Sequence, residues 1–68
     1  MKIRYDSDAD ALSIKLREDS IHHTKELDEN TIVDYNDQGE IVAIEILFVK
    51  ERNPDLLKNV KVEGFIVA

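Results

Sequence analysis

The chain has no cysteine, so disulfides and thiolate metal sites are excluded as reinforcement. Glycine occurs only at Gly39 and Gly64, which leaves no phosphate-cradling loop. No apolar run exceeds four residues, and residues 1–6 carry no apolar signal-peptide core. A bilayer-crossing helix is therefore excluded, no membrane role is expected, and a cytoplasmic protein is. Basic charge is scarce: nine basic residues stand against fifteen acidic ones, a net charge of −6. Phosphate backbones would be repelled, so no direct nucleic-acid ligand is expected, whereas a basic protein partner would be attracted. The chain also lacks the basic, aromatic-interleaved face of RNA-stacking modules.

With 68 residues there is room for one domain with a thin core, and without disulfides oligomerisation is the expected reinforcement. Residues 2–6 alternate polar and apolar, placing Ile3 and Tyr5 on one face. Residues 11–17 alternate again, with Leu12, Ile14 and Leu16 inward. A turn at residues 6–10 joins them as a hairpin. Residues 18–30 alternate poorly and read as a loop with an irregular edge strand near 24–27.

The strongest signal is a second hairpin over residues 31–49, turning at Asn36, Asp37, Gln38 and Gly39, where Gly39 supplies the positive φ of a type I turn with a bulge. Its second arm, 41–49, is broken only by Glu45 and is apolar on both faces, as an interior strand covered on two sides would be. That is more burial than so short a chain provides alone, and a homodimer is expected. Lys50, Glu51 and Arg52 mark a surface exit. Asn53 as cap, Pro54 at the first helical position and Asp55 predict a helix over 54–59 that offers Leu56 and Leu57 to the core. A last strand over 60–68, interrupted at Gly64, needs a partner for its apolar end. The expected fold is α+β: one domain, 1–68, with an antiparallel sheet of two consecutive hairpins in 1–52, then one short helix and a C-terminal strand in 53–68.

Asp6, Asp8 and Asp10 have the alternate spacing that opens a calcium loop, but Ala11 stands where glycine is needed and Arg17 where a carboxylate is needed. The plainer reading is an acidic turn whose side chains bond nearby amides. His22 and His23, as strand neighbours, would point to opposite faces and not chelate together. Ser7, Ser13, Ser20, Thr24 and Thr31 offer hydroxyls without a strand-to-helix elbow or a recognisable base. No catalytic residue, cofactor or enzyme activity is expected. Glu45 lies in a stripe with Ile41, Ala43, Leu47 and Val49. Its carboxylate either pairs with Arg4, Lys15 or Arg17, or anchors a basic side chain of a partner. That stripe, with Phe65 and Val67 of the tail, forms the expected interface.

Tyr5-Asp6, Asp10-Ala11-Leu12-Ser13-Ile14, Val33-Asp34, Gly39, Ile41-Val42 and Ile44-Glu45-Ile46-Leu47 resemble the pattern of a small prokaryotic family, domain of unknown function 2283. The likeness spans about the first fifty residues. It departs at Ala43, where glycine is common, at Ser13, where an aromatic often stands, and at Asn36, where aspartate is frequent. The resemblance implies a compact sheet of hairpins followed by a helix, with no established activity. Some members lie beside small genes of a ribonuclease-toxin-like kind, which implies an antitoxin role. The expectation is a non-enzymatic protein-interaction module, an antitoxin-like binder of a basic partner; the alternative is a divalent-cation-binding protein using Asp6, Asp8 and Asp10.

Overall fold

The structure, a computed structural model, describes residues 1–64. β1 (Lys2–Asp6), β2 (Ala11–Lys15), β3 (His23–Asp28), β4 (Thr31–Tyr35) and β5 (Ile41–Leu47) form one antiparallel sheet in the order β1-β2-β5-β4-β3. The fold is α+β, and both hairpins form where alternation and turn chemistry place them. The irregular stretch before the second hairpin does pair: β3 is a full edge strand, exposed along its length, with a register shift between Glu26 and Asp28.

The β4–β5 turn is closed by the Gly39 N–H donating to the Asn36 carbonyl at 3.2 Å, with Gly39 at φ 78°. Gly39 makes that positive φ cheap, which is why the turn sits there. The register then shifts on β5. Asp34 faces Ala43 but Tyr35 faces Ile41, so Val42 is an extra residue. Its carbonyl accepts the amides of Leu16 (2.8 Å) and Arg17 (3.3 Å), and its side chain is fully buried. Val42→Ala removes two methyl groups from a site with no solvent access, and a loss of about 2 kcal/mol in urea unfolding is expected. A change within experimental error would mean that the bulge is not part of the core.

Two expectations beyond the sheet are corrected. Val49, read as the end of the strand, opens α1 (Val49–Arg52), whose Lys50, Glu51 and Arg52 are exposed as expected, while the helix expected over 54–59 is only a 3-10 turn at Leu56–Lys58. Six residues cannot offset helix nucleation without tertiary packing, and Leu56 remains 48 % exposed. Asn53, expected to cap the second helix, closes the first: its amide donates to the Val49 carbonyl at 2.9 Å. The last strand does not form over residues 60–64, where Val60 and Val62 are exposed; residues 65–68 lie outside the described chain.

Among the described residues, few apolar ones are buried: Ala11, Val33, Val42 and Val49. The main contacts between elements are those of neighbouring strands, with α1 leaning on the 3-10 turn. The radius of gyration is 13.3 Å, against about 11 Å for a compact chain of this length. Accessible surface is 5558 Å², against about 4,400 Å² for a compact monomer of its mass. The single-layered sheet and the exposed segment 60–64 both contribute to that excess. β5 is interior in strand order, as its composition demands, yet most of its positions are only half-buried. Among the described residues no helix is long and apolar enough to cross a membrane.

Candidate functional site

Cross-strand partners share a face, so the register sorts every strand residue onto one side of the sheet or the other. One side carries the row Ile3, Ile14, Ile44, Val33 and Lys25, and beside it the row Tyr5, Leu12, Ile46, Thr31 and Asp28. Across β1, β2, β5 and β4 these rows contain no charge; Lys25 and Asp28 stand at the β3 edge. The other side carries Arg4, Ser13, Glu45, Ile32 and Glu26 in one row and Lys2, Lys15, Ala43, Asp34 and Thr24 in the next. One face is thus apolar and the other mostly charged or polar. Leu12, Ile14, Ile44 and Ile46 on the apolar face are only half-buried.

The expected interface stripe divides. Ala43, Glu45 and Leu47 do share a face, but it is the charged one. Ile41 is displaced by the bulge and pairs with Tyr35, and Val49 is 1 % exposed within α1. Phe65 and Val67 lie outside the described residues. Glu45 makes none of the expected ion pairs among the described residues. Arg4 lies two strands away across Ser13, about 10 Å in a sheet, while Lys15 holds Glu18 at 3.1 Å and Arg17 holds Asp19 and Glu40. Of the residues that the sequence turns inward, Leu12 and Ile14 are only partly buried and Leu16 is exposed. Alternation identifies the apolar face; nothing local in the sequence shows how much of it a second layer covers.

The acidic turn is committed to structure. Asp6 Oδ1 accepts the amides of Asp8 (3.0 Å) and Ala9 (3.2 Å), the amide-bonding role expected for such a turn. Asp10 reaches further: its carbonyl accepts the Val49 amide at 3.2 Å, and its carboxylate those of Lys50 (2.8 Å) and Glu51 (3.1 Å). One residue forty positions upstream therefore satisfies the three free amides at the start of α1, which Phe48, at φ 57° and without a capping side chain, leaves open. The Tyr5 hydroxyl donates to the same carboxylate at 2.7 Å. Asp6, Asp8 and Asp10 do not converge, and among the described residues no three metal-ligating side chains do. His22 and His23, expected to diverge, meet edge to face at 5.8 Å because His22 precedes the strand, and His23 stacks on Tyr35 at 4.8 Å.

Hydrogen bonds from Tyr5, Lys50 and Glu51 hold the Asp10 carboxyl below the ordinary carboxylate range, and the bond to Asp10 pushes the Tyr5 phenol up to about 12. A depressed Asp10 contributes stability above its unfolded pKa near 4 and loses it as pH falls through the folded value. A raised Tyr5 contributes below about pH 10 and loses it as pH rises toward 12. In Tyr35→Phe, which leaves Tyr5 as the one tyrosine, ultraviolet titration is expected to show a midpoint near 12. Adding Asp10→Asn brings it toward about 10. A midpoint near 10 before that second change would contradict the Tyr5–Asp10 bond.

A polar ring closes the opposite end of the sheet. Arg17 pairs with Asp19 (2.9 Å) and Glu40 (2.8 Å), and the Asn36 side-chain amide donates to the same two carboxylates at 3.0 and 3.1 Å. Asn36 Oδ1 accepts the Gln38 and Glu40 amides. The ring fastens the β2–β3 loop to the β4–β5 turn beside an open groove of about 510 Å³. Its carboxylates are occupied, Glu40 held below the usual range by Asn36 and Arg17, so it serves as a fastener.

No curated protein and no solved structure matches the chain. A family model described as "Protein of unknown function (DUF2283)" matches residues 2–50, from β1 into the start of α1, and so takes in every strand of the sheet, Asp10 and the amide of Lys50 that it caps. The chain belongs to that family.

Proposed function

We propose that the protein is a non-enzymatic protein-interaction module whose docking surface is the apolar face of its sheet. The observation that carries this reading is the partition of the two faces: charge is confined to one side and to the β3 edge, while Ile14, Ile44, Leu12 and Ile46 are only partly buried on the other. Antiparallel sheets with this pattern bury the apolar side against a second layer; Val33 at one end of the rows is already enclosed, while the described helices, four and three residues long, are too short to cover the rest. The test joins molecular mass to the response of these four residues' methyl groups to a soluble paramagnetic probe. The methyls are expected either to be open to the probe or to be shielded only in an assembly heavier than one chain. Shielded methyls in a particle of single-chain mass would overturn the reading.

A second, antitoxin-like reading draws on the net charge of −6 and on the exposed acids of the loops and of β3, which would attract a basic partner to the rim or to the charged face. The cation-binding alternative has less behind it, because Asp10 is already saturated by Tyr5 and the α1 amides.

A further inference from the structure

We propose that the apolar face takes a second copy of this chain, the two sheets closing face to face into a β-sandwich. This rests on reading that face as the docking surface, and it places the interface on the side of β5 opposite the Ala43, Glu45 and Leu47 stripe. Charge decides the occupant. A basic partner would find nothing to complement on β1, β2, β5 and β4, where the rows read Ile3, Ile14, Ile44, Val33 and Tyr5, Leu12, Ile46, Thr31. A second copy offers the same uncharged rows, while the acidic surplus remains on the outer faces and loops of both copies. Lys25 and Asp28, one of each sign, fall at the rim, where interface charges belong.

Area agrees. Five strands about 4.8 Å apart and five residues long give a face of about 24 by 17 Å, roughly 600 Å² of accessible surface with side-chain relief. Two such faces bury about 1,200 Å², the lower end of stable specific interfaces. Sheets paired in this way lie about 10 Å apart with their strands rotated by about 30°, which the twist of each sheet provides. The contact is isologous, so Ile14 and Ile44, on the two strands nearest the middle of the uncharged rows, come close to their own symmetry mates.

The test is light scattering on the full chain at high micromolar concentration, with single-residue variants. Wild type is expected at twice the 7.8 kDa chain mass, Ile14→Glu at the mass of one chain, and Ser13→Glu, one residue along on the charged face, at the doubled mass. Because the chain has no cysteine, Ile14→Cys and Ser13→Cys give a second readout that does not depend on a destabilising charge. A short bis-maleimide is expected to link Ile14→Cys into dimers and to leave Ser13→Cys as single chains. Wild type at single-chain mass with no linking through Ile14→Cys overturns the second-copy proposal. In that case methyls open to the paramagnetic probe leave the docking reading standing with a different occupant, and shielded methyls remove both, pointing to residues 65–68 or another part of the same chain as the cover.

Discussion

Asn36→Ala is expected to cost roughly 3 kcal/mol, the largest effect of any single side chain away from the apolar face. Asn36 is 5 % exposed, and its side chain makes four hydrogen bonds, two to carboxylates and two from turn amides. Each contributes about 1 kcal/mol net, more where a charge takes part, and truncation strands the partners in a half-buried site. The sum is not additive, because water reaches the vacated carboxylates. Against the roughly 3–10 kcal/mol of stability usual for a domain of this length, the loss is large and corresponds to a melting-temperature drop of about 12–24 °C. Asn36→Asp keeps the acceptor for Gln38 and Glu40 but sets a third carboxylate against Asp19 and Glu40, so it should fall between the two. Thermal unfolding followed by circular dichroism decides the matter. A drop of only a degree or two for Asn36→Ala would mean that the turn holds without its ring.

The second large effect concerns concentration. If folding and pairing of the two faces are one equilibrium, a roughly thousandfold dilution removes about 4 kcal/mol per dimer, about 2 kcal/mol per chain, and lowers the melting temperature by about 8–16 °C. The scale follows from how little is buried: among the described residues only Ala11, Val33, Val42 and Val49 are apolar and enclosed. Ile14→Glu should abolish the concentration dependence, and Ser13→Glu should preserve it. A melting temperature indifferent to dilution in wild type would show that the chain's stability owes nothing to association.

Much of this architecture is legible in the residues, because it is local. Alternation at Ile3, Tyr5, Leu12 and Ile14 sets β1 and β2, and the Asn36–Gly39 turn sets the second hairpin with its positive φ in place. What escapes the sequence is non-local. The bulge at Val42 follows from how β4 and β5 register, and it moves Ile41 off the stripe to which a strict period of two assigns it. One turn of helix at Val49–Arg52 has no propensity signal of its own; it exists because Asp10 takes its free amides, and no pattern within a few residues predicts a cap supplied from forty positions away. For the same reason Asp10, one of the three carboxylates spaced like the opening of a calcium loop, is a structural latch. The surplus of apolar strand in β5 is legible, yet the partial burial of its apolar side is not, since that depends on how the strands pair and what packs on them.

The account turns on whether the face built by Leu12, Ile14, Ile44 and Ile46 is covered by the chain itself or by another molecule. Isotope-filtered nuclear Overhauser spectra on an equimolar mixture of labelled and unlabelled chains address this residue by residue. Cross-peaks between chains from these four residues' methyls, together with none from Ala43 or Leu47, are predicted. Contacts from the same methyls confined to their own chain would contradict it.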